Sequence, residues 1–213
     1  MNKQQRKRII DKHRDSLTRH GYHPNALYWS NQGIQQARFK VLAGIGIQAS
    51  DSVLDVGCGF GDFKGWSESK GCRLKYTGID LSTDLLKQAE HLHPDGKFCS
   101  GDLFDMTFGQ GSFDWVILSG ALNEQLHDDS VYAFRVITRM YSLCRKGVAF
   151  NMLDARHLVA HDLHSQMPER VLAFCQGLCP NCVLHDEYLN NDFSIYMLKT
   201  NRGSASGTAA KAK

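Results

Sequence analysis

The feature that most constrains this chain is a short apolar run that leads directly into three alternate glycines. Residues 53–63 read Val-Leu-Asp-Val-Gly-Cys-Gly-Phe-Gly-Asp-Phe. The apolar run predicts a buried strand, and the glycines predict a tight turn into a helix. Bare backbone at the glycines lets a ligand approach closely, and the helix start directs free N–H groups toward it. The sequence therefore predicts a ligand site at the end of a central strand.

From residue 52 onward, short apolar runs alternate with amphipathic ones, which is typical of parallel strands joined by helices. We expect strands near residues 52–57, 74–79, 96–99, 113–118 and 146–152 and helices near 61–70, 82–91, 129–144 and 166–178. Two further β-prone runs, 182–188 and 193–198, lie so close together that they predict an antiparallel hairpin at the end of the sheet. The pattern predicts an α/β fold.

The length of 213 residues suits one domain. We expect a basic extension over residues 1–20, a single domain over 21–200 with a packing helix near its start, and a tail over 201–213. The tail is rich in small polar residues that cannot offset the entropy of ordering, so it is expected to be disordered. We find no internal repeat that would indicate a further domain.

The chain carries a net charge of only +3, but its charge is unevenly distributed. Residues 1–20 contain seven basic and two acidic side chains, so the remainder is about neutral. This basic opening could contact phosphate groups of a nucleic acid, or it could form a frayed, solvated helix. Because no aromatic residues interleave with the basic ones to stack on bases, a nucleic acid partner is not favoured.

Several features indicate a cytoplasmic protein without a membrane partner. No apolar run approaches the ~18 residues of a membrane span, and the N-terminus lacks the apolar stretch and cleavage site of a secretory signal. The seven cysteines are an odd number in a chain long enough to fold without disulfides, so we expect reduced thiols. The oligomeric state is not indicated.

Two acids follow the next predicted strands at informative positions. Asp80 ends the second strand, where a carboxylate can accept hydrogen bonds from ribose hydroxyls. Asp102 follows the third strand beside Leu103 and could accept a bond from the exocyclic amine of adenine. Since ligands of parallel sheets bind beyond the carboxyl ends of the strands, the ordered set predicts a nucleoside pocket.

Four segments in this order, VLDVGCGFGDF, YTGIDLS, CSGDLFD and FDWVILSGALNE, resemble the class I S-adenosylmethionine-dependent methyltransferases. The resemblance covers about residues 50–200. It implies a Rossmann-like, doubly wound sheet of seven strands in the order 3-2-1-4-5-7-6, with strand 7 antiparallel, together with an N-terminal helical segment. It also implies methyl transfer as the activity and S-adenosylmethionine as the cofactor.

The resemblance implies which residues contact the cofactor. Gly57, Cys58 and Gly59 would border its methionine part, and Asp55 would help to fix the turn and the amino group. Arg38 could pair with the cofactor carboxylate, although a surface arginine on the packing helix is an equal alternative. The full set of expected cofactor-binding residues is Arg38, Asp55, Gly57, Cys58, Gly59, Gly61, Asp80, Leu81, Asp102, Leu103 and Ser119.

Methyl transfer from a sulfonium chiefly requires that the nucleophile, methyl carbon and sulfur be aligned in a dry cleft. A base is needed only if the acceptor must lose a proton. Glu124 and His127 after the fourth strand, and His157 after the fifth, are the candidates for this catalytic role. Tyr28, Trp29 and Asn123 are candidates for binding the acceptor, although the two aromatics could simply pack the N-terminal helix.

The acceptor is expected to be a small molecule. Residues 119–123 lack the (Asp/Asn)-Pro-Pro-(Tyr/Phe) pattern of enzymes that act on exocyclic amines of nucleobases. Two alternatives stay open: an RNA or protein acceptor recruited through the basic N-terminus, and a non-catalytic module that only binds the cofactor. Turnover with some acceptor would separate an enzyme from a binding module.

Three rival interpretations are weaker. Nicotinamide-binding dehydrogenases use G-x-G-x-x-G, whereas the third glycine here comes one residue early. Cys175, Cys179 and Cys182, with His185, could bind zinc or an iron–sulfur cluster, but the apolar pattern around Cys175 favours buried core thiols. Histidines at 157, 161 and 164 could share a helix face, yet a hydrated surface explains them equally well. We therefore expect no metal.

Overall fold

A twisted central sheet organises the structure, a computed structural model that describes residues 1–158 and 162–200. Within these residues the sheet has eight strands in the order β3-β2-β1-β4-β5-β8-β7, with β6 paired to β5 off this path. The strands are β1 (Ser52–Val56), β2 (Lys75–Asp80), β3 (Lys97–Ser100), β4 (Phe113–Ser119), β5 (Cys144–Asp154), β6 (Ser165–Gln166), β7 (Cys182–His185) and β8 (Asp192–Leu198).

Helices connect and cover these strands. They are α1 (Lys3–His20), α2 (Gln32–Ala43), α3 (Asp62–Ser69), α4 (Thr83–Leu92), α5 (Val131–Leu143) and α6 (Pro168–Leu178). Short 3-10 turns occupy Pro24–Leu27, Leu103–Asp105 and Ala121–Asn123. No helix in this described part of the chain combines the length and apolar character that a membrane crossing requires. Residues 201–213, for which we expect a disordered tail, lie outside the described residues.

The expected fold is confirmed. If the two-residue β6 is left uncounted, the strand order is the 3-2-1-4-5-7-6 of the sequence analysis. The final strand β8 pairs antiparallel with both β5 and β7, as the hairpin pattern predicts. The sequence analysis missed β6, because two residues are too few to show any periodicity.

The strand order creates a crevice beside β1. This strand pairs in parallel with β2 on one side and with β4 on the other. From β1 the chain moves outward to β2 and β3, and it then returns to β4 on the other side of β1. The strand order therefore reverses between β1 and β4, which opens a gap above their carboxyl ends. The predicted glycine turn lies at this gap.

Both faces of the sheet are buried, since its side chains alternate between two apolar cores. On one face Leu54 and Val116 pack with residues of α5 and α6, and on the other Val53 and Ile117 pack with residues of α2 and α3. These strand positions are all fully buried. Two packed layers thus hold the strand ends rigidly around the gap.

The segment before β1 is helical, as expected. The Asn31 side chain caps α2 by accepting a bond from the Ile34 N–H, and the helix ends at Gly44. This helix buries Arg38 and Phe39. A second helix, α1, precedes it, as one of the two interpretations of the basic opening predicts, and begins with a capping box between Asn2 and Gln5.

Truncation of the core should test this packing. Phe150 of β5 is fully buried in the core on the α5 side of the sheet. We expect Phe150→Ala to lower the free energy of unfolding by about 3–5 kcal/mol, because it removes a large buried side chain and leaves a cavity. Val183→Ala is the matched control, because Val183 on the edge strand β7 is 43 % exposed, and it should cost less than about 1 kcal/mol. Urea denaturation measures both changes, and similar losses would contradict the assigned core.

Candidate functional site

A cavity of about 310 Å³ lies at the carboxyl ends of β1, β2 and β4. Its floor is the turn after β1, its side is α2, and residues of α1 form its roof. The cavity falls within the range of small-molecule sites and coincides with the crevice that the strand order creates. It is therefore the candidate functional site.

The glycine turn is required by geometry. Gly57 and Gly59 have φ angles of +73° and +54°, in the left-handed region that favours glycine. A Cβ at Gly57 would lie 2.4 Å from the Cβ of Ala121, and one at Gly59 would lie 2.8 Å from Cδ1 of Leu27. The turn thus needs glycine partly because neighbouring side chains of the protein itself press against it. Gly61 precedes the first turn of α3 and does not line the cavity.

Asp80 is held at the cavity wall by backbone donors. Its Oδ2 accepts a bond from the Gly59 N–H and its Oδ1 accepts one from the Ser82 N–H, each at 2.9 Å. Each carboxylate oxygen can accept more than one hydrogen bond, so the group retains capacity toward a ligand. Leu81 lines the cavity beside it.

Asp102 follows β3 and is likewise held in place. Its side chain is fully buried, and Oδ1 accepts a bond from the Phe104 N–H at 3.1 Å. Arg6 of α1 approaches from the roof, with Nη2 at 3.3 Å from Oδ2 of Asp102 and Nη1 at 2.5 Å from Oδ2 of Asp105. Leu103 is buried next to this acid and also lines the cavity.

Asp55 is a buried carboxylate beneath the turn. Burial raises its pKa to about 7, against the opposing effect of the hydrogen bond from the Tyr76 hydroxyl at 2.7 Å. The neighbouring negative charges of Asp80 and Asp62 raise this pKa further. The group is therefore poised to ionise when a cation arrives.

Asp62, which the sequence analysis did not select, completes an acidic wall. It lies in the first turn of α3 and accepts hydrogen bonds from Gln35 Nε2 at 2.7 Å and from the Tyr22 hydroxyl at 3.0 Å. Burial raises its pKa. The acids that line the cavity are Asp55, Asp62, Asp80, Asp102 and Glu124.

This charge distribution discriminates between ligand classes. A dinucleotide would bring its pyrophosphate to the N-terminus of α3, where the Asp62 carboxylate already lies. Like charges repel in a site of low dielectric, so the wall disfavours that ligand. A cofactor with a sulfonium and an ammonium group is instead electrostatically complementary to it.

Arg38 is a buried cation on the opposite side of the cavity. One guanidinium nitrogen, Nη2, forms an ion pair with Asp192 of β8, and Trp29 packs against the guanidinium with 4.6 Å between Cζ and the ring centroid. Its Nε is buried and has no hydrogen-bond partner within the described ranges. Arg38 is thus not a surface arginine, and it retains a donor for an anionic group.

The residues expected to bind the acceptor also line the cavity. The Tyr28 hydroxyl donates to the carbonyl of Lys12 at 2.9 Å, and Trp29 covers Arg38. Oδ1 of Asn123 accepts a bond from the Leu153 N–H at 3.1 Å, which ties the loop after β4 to β5. Ser119, at the end of β4, also faces the cavity and accepts from the Asn151 amide at 3.3 Å.

The three candidate catalytic residues are not brought together. Glu124 lines the cavity and accepts a bond from Lys12 Nζ at 2.7 Å. His127 and His157 are exposed and do not line the cavity. Their predicted catalytic role stays a prediction, which their position outside the cavity does not favour.

The basic N-terminus is helical, as one of the two sequence-based interpretations predicts, but the helix is packed against the rest of the chain. As α1, it crosses the cavity and forms ion pairs with acids of the strand-end loops: Arg6 with Asp105, Lys12 with Glu124 and Arg14 with Asp84. The partners are 99, 112 and 70 positions apart in the chain. No local sequence signal reports pairs at such separations, so the roof could not be predicted.

The cysteines near the C-terminus pack as core residues. Cys175 and Cys179 are buried in the apolar cluster under α5 and α6, as the sequence pattern suggests. The Sγ of Cys182 donates to the carbonyl of Cys179 at 3.0 Å. Across residues 1–158 and 162–200, the structure contains no group of three or more potential metal ligands. His161 lies outside these ranges.

Comparisons with known proteins agree with this geometry. The family described as "Methyltransferase domain" matches residues 53–147. A putative methyltransferase of Mycobacterium tuberculosis is 27 % identical over 165 residues, which cover 72 % of this chain and 97 % of that protein. The ribosomal RNA large subunit methyltransferase E of Brachyspira hyodysenteriae is 36 % identical over 102 residues, 46 % of this chain and 48 % of that protein.

Among solved structures, magnesium protoporphyrin IX methyltransferase from Synechocystis, with bound S-adenosylmethionine, has the same fold. Its TM-score is 0.66 at 15 % identity, with 92 % of this chain and 97 % of that one covered. Together with the domain match, these findings confirm the predicted resemblance to the class I methyltransferases and the predicted cofactor, S-adenosylmethionine.

The buried Asp55 generates a pH-dependent prediction. Its pKa is about 7 in the folded protein, above that of an unfolded aspartate, so the folded state loses stability as pH rises toward 7. Asparagine cannot ionise. When the pH is raised from 5 to 8, wild type should therefore lose about 1–3 kcal/mol of unfolding free energy that Asp55→Asn does not lose. Urea denaturation at both pH values measures this shift.

Asp15→Asn is the matched control, because Asp15 is exposed on α1. It should show the same difference from wild type at both pH values. A pH-independent difference for Asp55→Asn would mean that Asp55 is not a buried group with a raised pKa.

Proposed function

We propose that this protein, a class I S-adenosylmethionine-dependent methyltransferase by its sequence match and its fold, binds its cofactor in the cavity under α1 and transfers the methyl group to a small-molecule acceptor. The observation that carries the proposal is the acidic, glycine-floored cavity at the gap between β1 and β4. It combines a nucleoside-sized site with charges that suit a cationic ligand.

The residues present fit the cofactor. Asp80 would accept hydrogen bonds from the ribose hydroxyls, and Asp102 with Leu103 would border the adenine. The methionine part would follow Gly57, Cys58 and Gly59, with its ammonium group near Asp55. Arg38 would donate from Nε to the carboxylate of the cofactor, because its ion pair with Asp192 uses Nη2 and leaves Nε without a partner among the described residues. Opposite charges at the two ends of the amino acid would fix its direction in the cavity.

When bound, the cofactor supplies a methyl group already activated by its positive sulfur. The chain therefore has to orient the reactants and exclude water. Helix α1 serves the second purpose by covering the cavity. Glu124 is the one candidate base that lines the cavity, where its carboxylate accepts a hydrogen bond from Lys12 Nζ at 2.7 Å.

Two observations favour a small molecule as acceptor. The protein's own N-terminal helix covers the cavity of about 310 Å³, which limits the size of an acceptor that can reach the cofactor beneath it. Three of the seven basic residues in the N-terminal segment, Arg6, Lys12 and Arg14, are paired with acids of the loops at the strand ends, so they are not free to contact a nucleic acid.

All seven cysteines are free thiols, which supports a cytoplasmic location.

An RNA acceptor is the second candidate, favoured by the 36 % identity with a ribosomal RNA methyltransferase over about half of that protein. It would require the α1 ion pairs to open in exchange for phosphate contacts. Such binding would weaken steeply with salt, since each phosphate contact releases counterions. A module that only binds the cofactor would show affinity without turnover for any acceptor.

Cofactor binding can be tested by calorimetry with S-adenosylhomocysteine. The wild-type protein should bind it at one site per chain. Asp80→Ala should weaken binding by about 1–3 kcal/mol, because a charged acceptor for the ribose is lost and the Gly59 amide loses its partner. Glu90→Ala, an exposed acid on α4, is the matched control and should leave the affinity unchanged. No binding by the wild type would refute the proposal.

The acceptor class can be tested by transfer of a labelled methyl group. The protein is incubated with labelled S-adenosylmethionine and with either the small-molecule or the RNA and protein fraction of a cell extract. We expect label in the small-molecule fraction. Label confined to RNA or protein would support the second candidate, and the absence of transfer to any fraction despite cofactor binding would support a binding module.

A further inference from the structure

We propose that His13 of α1 is a further cofactor-binding residue, whose Nδ1 forms a hydrogen bond with a ribose hydroxyl that Asp80 holds from the opposite side. This inference rests on the proposed function, because it names a contact within the same cavity. It assigns to α1 a role in recognising the cofactor in addition to covering it.

The path of α1 brings His13 to this position. Near its beginning Arg6 binds Asp105 in the turn after β3, at 2.5 Å. Further along, the Nε of Arg14 binds Asp84 in the first turn of α4, which follows β2, at 3.0 Å. The helix between these anchors therefore runs above the carboxyl ends of β3 and β2, where the adenine-side and ribose-side acids lie.

Ile9 and His13 lie one helical turn apart and thus share a face of α1. Both line the cavity, as does Asp80 on its floor. Ile9 is almost fully buried, which shows that this face is the inner one. The roof therefore offers one apolar and one polar side chain toward the site of the adenosine.

One ring nitrogen of His13 could form a further hydrogen bond. Its Nδ1 is buried, and nothing within the described ranges partners it. The ring meets Tyr28 edge to face, with centroids 5.7 Å apart, which fixes the imidazole plane. A buried polar atom without a partner costs stability, so such atoms in native proteins commonly mark a bound group.

A ribose hydroxyl is a better hydrogen-bond partner for Nδ1 of His13 than other parts of the cofactor. A hydroxyl can donate one hydrogen bond and accept another at the same time. Its proton would go to the Asp80 carboxylate, so it would accept a bond from Nδ1–H of the imidazole. The charged groups that act on His13 are Asp80, Glu124 and Lys12, and burial lowers its pKa, which favours the neutral ring.

Calorimetry on the full-length protein tests the contact. The ligands are S-adenosylhomocysteine and its 2′-deoxy and 3′-deoxy analogues. His13→Phe keeps a ring against Tyr28 but removes the nitrogen, whereas His13→Asn keeps a short polar group. His20→Phe is the matched control, because His20 is exposed near the end of the same helix.

We expect His13→Phe to bind S-adenosylhomocysteine about 5- to 10-fold more weakly than wild type, the scale of one neutral hydrogen bond. With one of the deoxy analogues, His13→Phe should bind almost as tightly as wild type, because the hydroxyl that would bond to Nδ1 is then absent from the ligand. His13→Asn should recover part of the affinity, and His20→Phe should match wild type.

Three outcomes would overturn the inference while the proposed function stands. Equal affinity of wild type and His13→Phe for S-adenosylhomocysteine would exclude the contact. An equal loss with all three ligands would indicate a packing role only. Unchanged affinity with lost methyl transfer would instead make His13 an acceptor-side base. Failure of the wild type itself to bind S-adenosylhomocysteine would refute the proposed function.

Discussion

The hydrogen bonds that tie the end of β1 to the end of β2 are the constraint on which the rest of the site depends. The amides of Gly57 and Cys58 donate to the Ile79 carbonyl at 2.8 and 3.0 Å, and the Gly59 amide donates to Asp80. These bonds force the chain through positive φ angles, which only glycine adopts without strain. The turn packs closely against Ala121 and Leu27. The Asp80 carboxylate both supports this turn and faces the cavity.

Charge is concentrated around this turn at a cost to stability. Burial raises the pKa of Asp55 and of Asp62, which means that their surroundings disfavour the ionised forms. A cationic ligand removes that penalty by supplying the missing counter-charge. On the far side, Asp192 offsets the charge of Arg38 without using all of its donors. The cavity lining thus combines several carboxylates with one arginine that has an unused donor, a charge distribution complementary to the zwitterionic ligand of the proposed function.

Local patterns in the sequence were sufficient for most of the sheet and for the floor of the site. Apolar runs located the long strands because each strand is buried on both faces, and the glycines and the acids at strand ends follow directly from chain order. The same reasoning selected His127 and His157, which lie near strand ends in the sequence but outside the cavity in space. It did not select Asp62, although this residue lies within the first motif, and it missed His13, which belongs to none of the quoted motifs.

The sequence by itself determined the α/β order of elements, the glycine turn, and Asp80 and Asp102 as its acidic neighbours, because each depends on residues close together in the chain. The tertiary structure alone decided that the helix formed by the basic N-terminus lies across the cavity. Its ion pairs and the imidazole of His13 meet partners brought together only when β2, β3 and β4 align in the sheet. Contacts between distant segments depend on the summed packing of the whole fold, which no local pattern encodes.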